Sequence, residues 1–290
     1  MKGASLVTIS ALFFATYGIW SKLMLGTFGE YNQATVKAII LLSFIIPYAF
    51  VSKTFKKINK RDYIWFFIIA SVGGLNQAPY YFGFEHLTVG SATLLFYSGL
   101  TLGAYILGAV FFKEEIKLVK KLALIIAFIG LSVIYRFEIQ PDQIVAAFAA
   151  FVAGIMGSAA VVFSKKLSGE YSEVQIVTGY IVAMIIFNPL LSFFSGELMP
   201  QVDSFLPWFA QFAYAVSYLI ANLTVVAGFK YLDPSVGALI GLLEVIFAAI
   251  MGILIFNEVI TLQFILGSIL ILFAISLNDL IQLARSKLFR

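Results

Sequence analysis

Ten apolar stretches, each about 20 residues long, follow one another along the chain with only short polar links between them. A stretch of this length crosses the hydrocarbon core of a bilayer as a helix and is too long for a strand of a membrane barrel. The sequence therefore predicts an all-α integral membrane protein with ten transmembrane helices. The predicted spans are 4–26, 34–52, 63–84, 89–112, 119–136, 142–164, 172–194, 206–229, 235–256 and 261–281.

The composition agrees with a chain that is solvated by lipid. Hydrophobic residues make up 61% of the sequence and charged residues only 12%, against about 25% in soluble domains. The absence of cysteine excludes disulfide and thiolate chemistry, and the single histidine, His86, excludes any site that needs two imidazoles. No segment is available as a soluble nucleic-acid-binding module.

Lysine and arginine are distributed unevenly between the two sides of the predicted bundle. If the N-terminus is cytoplasmic, the basic loops 53–61, 113–121 and 165–166 all lie inside, and only Lys22 and Arg136 lie outside. Such a bias orients multi-pass proteins with the basic loops in the cytoplasm. We therefore expect a multi-pass protein of the inner or plasma membrane with both termini cytoplasmic.

The two halves of the chain resemble each other when residues 4–136 are laid against 142–281. The matching segments are Ile19–Lys22 with Val162–Lys165, Gly29–Tyr31 with Gly169–Tyr171, Phe84–Leu87 with Phe229–Leu232, and Glu114 with Glu258. Five spans in each half place the halves in opposite orientations, a construction used by solute carriers with a site near the membrane midplane. We predict two inverted five-helix repeats, 1–140 and 141–290.

Three segments of the second half carry a family resemblance. Gly-Phe-Lys-Tyr-Leu-Asp-Pro-Ser-Val-Gly-Ala at 228–238, Leu-Glu-Val-Ile-Phe-Ala-Ala at 243–249 and Phe-Asn-Glu at 256–258 resemble the drug/metabolite transporter superfamily, specifically its EamA-type ten-helix branch. The resemblance implies two inverted five-helix repeats around a central cavity and alternating access without ATP. One departure is Val245, because the family usually has a proline after the glutamate of helix nine. The sequence therefore gives less reason to expect a helix break at that point.

Glu244 is the sharpest candidate for a functional residue. It lies near the middle of the ninth span, where a carboxylate is costly and usually faces the protein interior or a wet cavity. Such a residue suits binding of a cationic group and coupling to protons. The alternative is a structural glutamate that forms a hydrogen bond with a neighbouring helix.

Lys37 lies about one turn inside the end of the second span. It is either an interfacial lysine that reaches the headgroups or an anion contact in the cavity. If Lys37 and Glu244 both face the cavity, a zwitterion such as an amino acid becomes the favoured solute.

Amides and tyrosines of the third and eighth spans are further candidates for the substrate pocket. Asn76 and Tyr80 are four residues apart and share a helix face, as do Gln77 and Tyr81, and the repeat places Asn222 opposite Gln77. Amides within a membrane either join helices or face a solute. We therefore expect at least one of these faces to line the cavity.

Aromatic side chains near the middle of several spans complete the predicted site. Trp20, Tyr97 and Tyr218 are candidates for substrate contacts, with Tyr17 and Tyr214 beside them. A box of such rings suits a quaternary ammonium or an aromatic solute, although some of the rings belong to the core or to the interfacial belt.

Small residues and prolines suggest packing and hinge positions. The pairs Gly99–Gly103 and Gly237–Gly241, in the repeat-equivalent fourth and ninth spans, favour close helix contact across the pseudo-two-fold axis or, alternatively, a homodimer face. Pro47 and Pro189, in the equivalent second and seventh spans, are candidates for hinge kinks.

Missing motifs narrow the function. The chain has no phosphate-binding loop of the G-x-x-x-x-G-K-[ST] type, no H-E-x-x-H and no G-x-S-x-G, which argues against ATP-driven transport and against membrane hydrolases. We predict a secondary carrier of a small organic metabolite, with an amino acid or related zwitterion favoured, no cofactor, and a monomeric or homodimeric state. An organic cation and a nucleobase remain alternatives for the solute, and a passive channel or an integral-membrane enzyme remains an alternative of a different class.

Overall fold

The computed structural model describes residues 2–135 and 139–288, so Arg136 of the topology prediction lies outside the described residues. This part of the chain is all-helical, with two short 3-10 turns and no strand. Its α-helices are α1 Lys2–Ala15, α2 Tyr17–Met24, α3 Glu30–Ser52, α4 Tyr63–Leu75, α5 Gln77–His86, α6 Val89–Phe112, α7 Leu118–Ile134, α8 Ile144–Leu167, α9 Glu173–Ser195, α10 Phe205–Phe229, α11 Pro234–Gly241, α12 Leu243–Phe256 and α13 Leu262–Leu288.

Three pairs of consecutive helices are separated by a single residue each: α1 and α2 by Thr16, α4 and α5 by Asn76, and α11 and α12 by Leu242. The break at Leu242 lies two residues before Glu244 and forms although the chain has Val245 in place of proline. The two candidate hinge prolines do not break their helices. Helix α3 continues through Pro47, and α9 continues through Pro189, without interruption.

Seven of the described helical segments are long and apolar enough to cross a membrane. They are Lys2–Met24, Glu30–Ser52, Val89–Phe112, Pro141–Leu167, Glu173–Ser195, Phe205–Phe229 and Pro234–Phe256. The three other predicted spans fall on the α4–α5 pair, on α7 and on α13. Large apolar side chains such as Phe50, Phe193 and Leu254 are exposed on the outside of the bundle, as a surface in contact with lipid requires.

Helices of the first half pack mainly against helices of the second half. The closest approach is between α6 and α8, where a Cβ on Gly99 would lie 2.1 Å from the Phe151 carbonyl oxygen and a Cβ on Gly154 would lie 2.0 Å from the Phe96 carbonyl oxygen. The partner of the Gly99–Gly103 pair is therefore α8, not the ninth span as the sequence suggested. In the other pair, a Cβ on Gly237 would lie 2.6 Å from the ring of Phe229.

Candidate functional site

A cavity of about 850 Å³ lies between the two halves of the bundle. Helices of both halves form its wall, chiefly α1, α2, α5 and α6 from the first half and α8, α10, α11 and α12 from the second, with single residues or pairs from α3, α4, α7, α9 and α13. All three helix breaks border it: Ala15 and Tyr17 flank the first, Asn76 is the second, and Gly241 and Glu244 flank the third. Irregular backbone at membrane depth is tolerated where it lines a cavity, which explains why the breaks cluster here.

The cavity is open at one end. The end that we call the mouth is bordered by Lys22, Val89 and Glu258, all of which are exposed. The opposite end, the floor, is formed by buried apolar side chains such as Val7 and Phe229. A solute can therefore enter from the mouth and is stopped by the floor.

Glu244 lies in the first turn of α12 and lines the cavity. The Tyr97 hydroxyl is the hydrogen-bonding partner of its carboxyl group. Three further tyrosine hydroxyls, those of Tyr17, Tyr80 and Tyr135, interact electrostatically with the same carboxyl. The carboxylate is thus placed among tyrosine rings and their hydroxyls, a setting that suits a cationic group of a solute.

The polar residues of α4 and α5 line the cavity together. Asn76, Gln77, Tyr80 and Tyr81 are all in its wall. Gln77 forms a side-chain hydrogen bond with Tyr214, while its Oε1 is buried with no hydrogen-bond partner. An unpaired buried acceptor that borders a cavity is a ready contact for a solute donor.

Tyr80 and Asn222 are more constrained by the protein itself. The ring of Tyr80 is stacked on Phe96 with 4.1 Å between ring centroids, and its hydroxyl is hydrogen-bonded to Thr93. Asn222 lines the cavity but donates from Nδ2 to the Tyr218 carbonyl oxygen at 2.9 Å. These side chains shape the wall, and their free capacity for hydrogen bonds to a solute is smaller than that of Gln77.

Three tyrosines form a cluster on the wall near the Thr16 break. The ring of Tyr17 meets Tyr214 edge to face at 4.7 Å and is stacked with Tyr218 at 6.2 Å. All three line the cavity, and the Tyr17 hydroxyl is buried without a hydrogen-bond partner. The cluster offers aromatic faces and one free hydroxyl to a solute.

Lys37 lies behind this cluster and is not part of the cavity wall. It is fully buried, and its Nζ is 4.2 Å from the ring centroid of Tyr214 and 4.3 Å from that of Tyr218. The ammonium has no hydrogen-bond partner. Lys37 therefore does not reach the headgroups, and the two tyrosine rings separate it from the cavity that Glu244 faces.

Trp20 also lies outside the cavity wall. Its Nε1 donates to Thr16 Oγ1 at 3.0 Å and to Ser217 Oγ at 3.1 Å. The indole thus joins the α1–α2 break to α10. Of the candidate residues, Glu244, Asn76, Gln77, Tyr80, Tyr81, Tyr97, Tyr218 and Asn222 are brought together around the cavity, whereas Lys37 and Trp20 are not.

Several residues of the wall were not singled out as candidates from the sequence. Glu30 begins α3 and lines the cavity, and Thr93, Tyr135 and Ser158 also do so. Glu30 was visible in the sequence as an acidic residue at the start of a span, but it was used there only as a repeat match. Thr93, Tyr135 and Ser158 have no feature in the sequence that distinguishes them from residues of the core.

The comparison with family models decides the assignment: the model of the EamA-like transporter family matches residues 1–136 and again 144–278. The chain belongs to the EamA-like transporter family. It is therefore a multi-pass membrane protein of a family that transports small molecules, as the resemblance in its second half predicted, and the match covers each half once.

The fold of this EamA-like chain recurs among solved structures. A protein described only as "Crystal structure of protein" has a TM-score of 0.79 to this chain, covering 96% of both chains at 16% identity. At that identity the likeness shows the fold alone. No curated protein matches the chain at a significant level.

Proposed function

We propose that this EamA-like protein is a secondary transporter of a small organic solute that carries an amino or ammonium group. The observation that carries the proposal is the position of Glu244 in the wall of the cavity, with tyrosines around it. A carboxylate supplies charge complementarity to an amine, and aromatic faces add cation–π attraction. Alternating access, with the two halves moving about the cavity, would release the solute on the other side.

The solute can carry an anionic group beside its amine only if the site also offers a positive partner for that group. An amino acid, the solute favoured from the sequence, needs a positive partner for its carboxylate, and Lys37 lies behind the rings of Tyr214 and Tyr218. An organic cation needs only Glu244 and the aromatic wall. The position of Lys37 therefore supports the organic cation more strongly, and a nucleobase would rely on the free Gln77 Oε1.

We further propose that each broken helix pair crosses the membrane once, which gives ten crossings in two inverted repeats, 1–140 and 141–290. Helices α3 and α6 begin at the mouth and end at the lysine-rich loops 53–61 and 113–121. The bias of basic residues places those loops and both termini in the cytoplasm. The mouth then faces outward, and the structure corresponds to an outward-open state.

Protons are the coupling ion that the site supports best. Glu244 can hold either a proton or the cationic group of a solute, but not both at once. Exchange of one for the other at a single carboxyl would couple solute movement to a proton gradient without any ATP-binding motif. The expected signature is binding to the parent that weakens as the pH falls, and no binding to Glu244→Gln at any pH.

Uptake into proteoliposomes tests the proposal. The purified protein would be reconstituted and offered labelled amino acids, quaternary amines and nucleobases beside Glu244→Gln. The matched control is Glu115→Gln, because the Glu115 side chain is 78% exposed and lies outside the cavity. We expect saturable uptake of an amine-bearing solute in the parent and the control, and none in Glu244→Gln. Uptake that never saturates would indicate a channel, and unchanged uptake in Glu244→Gln would refute the role of Glu244.

A further inference from the structure

Helices α6 and α12, which are equivalent in the two halves, end in the same way. Each is followed by a residue in the left-handed region, Lys113 with φ 54° and Asn257 with φ 54°, and then by a glutamate. The amide of Glu114 donates to the Gly108 carbonyl oxygen at 3.1 Å, and that of Glu258 donates to the Gly252 carbonyl oxygen at 3.4 Å. The two carboxyl groups therefore leave their helices in the same geometry.

The glycines in these two motifs leave the space that the glutamate side chains occupy. A Cβ at Gly108 would lie 2.4 Å from Glu114 Oε2, and a Cβ at Gly252 would lie 2.4 Å from Glu258 Oε2. Both carboxyl groups thus fold back over a glycine six residues earlier in the chain. The same local device is built at the floor end by Glu114 and at the mouth by Glu258.

The two glutamates differ in what they contact. The Glu114 side chain is 3% exposed and accepts hydrogen bonds from the backbone amide and the hydroxyl of Ser235, at the start of α11. Lys120 Nζ lies 2.7 Å from Glu114 Oε1 and 2.8 Å from Asp233 Oδ2. Glu114 therefore ties the end of α6, in the first half, to the start of α11, in the second.

Glu258 has no such docking place in this structure. Its side chain is 57% exposed, and its carboxylate lies 3.6 Å from Lys22 Nζ. The segment equivalent to the start of α11 is the start of α6, where Gly90 corresponds to Ser235 and Val89 to Pro234. Pro234 is buried under the docked Glu114 end, whereas Val89 is 68% exposed at the mouth.

A pair of lysines repeats the same asymmetry. At the floor end, Lys165 Nζ donates to the Leu232 carbonyl oxygen at 2.7 Å and lies 5.6 Å from the ring centroid of Phe112. Its repeat equivalent, Lys22, lies 3.8 Å from the ring centroid of Phe256, the equivalent of Phe112. The position equivalent to Leu232 is Leu87, just before α6. Lys22 and Glu258 at the mouth are thus the counterparts of Lys165 and Glu114 at the floor end, but in this structure they are not docked on the start of α6.

We infer that Glu114 and Glu258 are alternating latches, and this rests on the proposed alternating-access function. When the mouth closes, Glu258 docks on the Gly90 amide at the start of α6, while Glu114 leaves Ser235 and the floor end opens. The first amides of a helix have no partner within the helix and attract a carboxylate. The hydrogen bonds of Glu114 to Ser235, at the start of α11, are an example of this contact in the present structure.

Single-cysteine labelling tests the latches without any solute, and the chain has no native cysteine to remove. Val89→Cys reports the mouth and Pro234→Cys reports the floor end. The effect of each latch substitution is measured as the labelling rate at the opposite end of the cavity. A local change in exposure around the substituted residue therefore cannot produce the expected result. In the parent, a maleimide should label Cys at 89 much faster than Cys at 234.

Glu114→Gln weakens the floor latch, because it removes the charge from the carboxyl group that Ser235 and Lys120 contact. We expect the rate of labelling at 89 to fall about tenfold as the population moves to the closed mouth, since hydrogen bonds to charged groups contribute more than neutral ones. The matched control Glu115→Gln, one residue away and exposed, should leave the rate unchanged. An unchanged rate at 89 in a monodisperse, helical Glu114→Gln protein would overturn the inference.

Gly90→Ser gives an independent test that does not disturb the floor latch. It places at the mouth the hydroxyl that Ser235 supplies to Glu114. Labelling at 234 should then become faster, and no acceleration at 234 would count against the latches even if Glu114→Gln fails to fold. A labelling response without any solute transport would support the latches and contradict the proposed transport function; transport without a response would do the reverse.

Discussion

The Tyr97 hydroxyl and the Glu244 carboxyl form a hydrogen bond between the first half of the chain and the second. Tyr97 lies on the continuous helix α6, whereas Glu244 lies in the first turn of α12, just after the Leu242 break. Their contact joins the two halves inside the cavity. A solute that binds Glu244 shares the carboxylate with the Tyr97 hydroxyl, so binding of the solute is linked to the packing of the two halves against each other.

Tyr97→Phe should weaken solute binding without unfolding the protein. The substitution removes the hydroxyl that contacts Glu244 and keeps the ring that packs on Phe96. The hydroxyl stabilises the ionised form of Glu244, which is the form that binds an amine. Loss of one hydrogen bond to a charged group costs roughly 1.5–3 kcal/mol, so the KM for uptake should rise about tenfold or more. The control is Tyr48→Phe, on the exposed side of α3. A KM equal to that of the control would show that the hydroxyl has no part in binding.

Lys37→Met should leave the binding of a simple amine intact and keep or raise the melting temperature. The ammonium is buried without a hydrogen-bond partner, and replacement of a buried charge by an apolar side chain of similar volume is often neutral or stabilising. Thermal unfolding in detergent and amine uptake are the two measurements. Loss of amine uptake in Lys37→Met would contradict this expectation and would show that Lys37 acts on the site through Tyr214 and Tyr218.

Gly99→Ala and Gly154→Ala should each destabilise the fold. The added Cβ would lie about 2 Å from a backbone carbonyl oxygen of the facing helix, and overpacking of this kind costs typically about 1–3 kcal/mol. Gly18→Ala is the control, because nothing lies within 4 Å of its Cβ position. Melting temperatures of the three variants in one detergent decide the matter, and equal values for Gly154→Ala and Gly18→Ala would contradict the close packing of α6 and α8.

Much of the architecture follows from the sequence because hydropathy and length are strong signals in a membrane. The apolar stretches gave helices near the expected positions, and the family assignment from the segments at 228–258 is confirmed. The helix breaks were harder to predict. Proline suggested Pro47 and Pro189, but the breaks lie at Thr16, Asn76 and Leu242, where the cavity and not a local residue type permits irregular backbone.

The candidate site, too, could be predicted only in part from the sequence. Glu244, Gln77 and Tyr97 could be selected because polar groups are costly at membrane depth, and the structure places all three on one cavity. The positions of Lys37 and Trp20 could not be derived from spacing. Each is turned away from the cavity by partners on α10, the tyrosine rings for Lys37 and Ser217 for Trp20, and such contacts between distant helices leave no trace in a single sequence.

The measurement that most directly tests the role of Glu244 is a thermal-shift screen of the purified protein in detergent, run beside Glu244→Gln. The ligands are amino acids, quaternary amines, nucleobases and sugar phosphates. A ligand at 100 times its Kd stabilises the folded state by about 2.7 kcal/mol, which is enough to detect. We expect an amine-bearing compound to raise the melting temperature of the parent and to have no effect on Glu244→Gln. An equal shift in both proteins, or a shift only with solutes that lack an amine, would contradict the assignment of Glu244 as the amine-binding group.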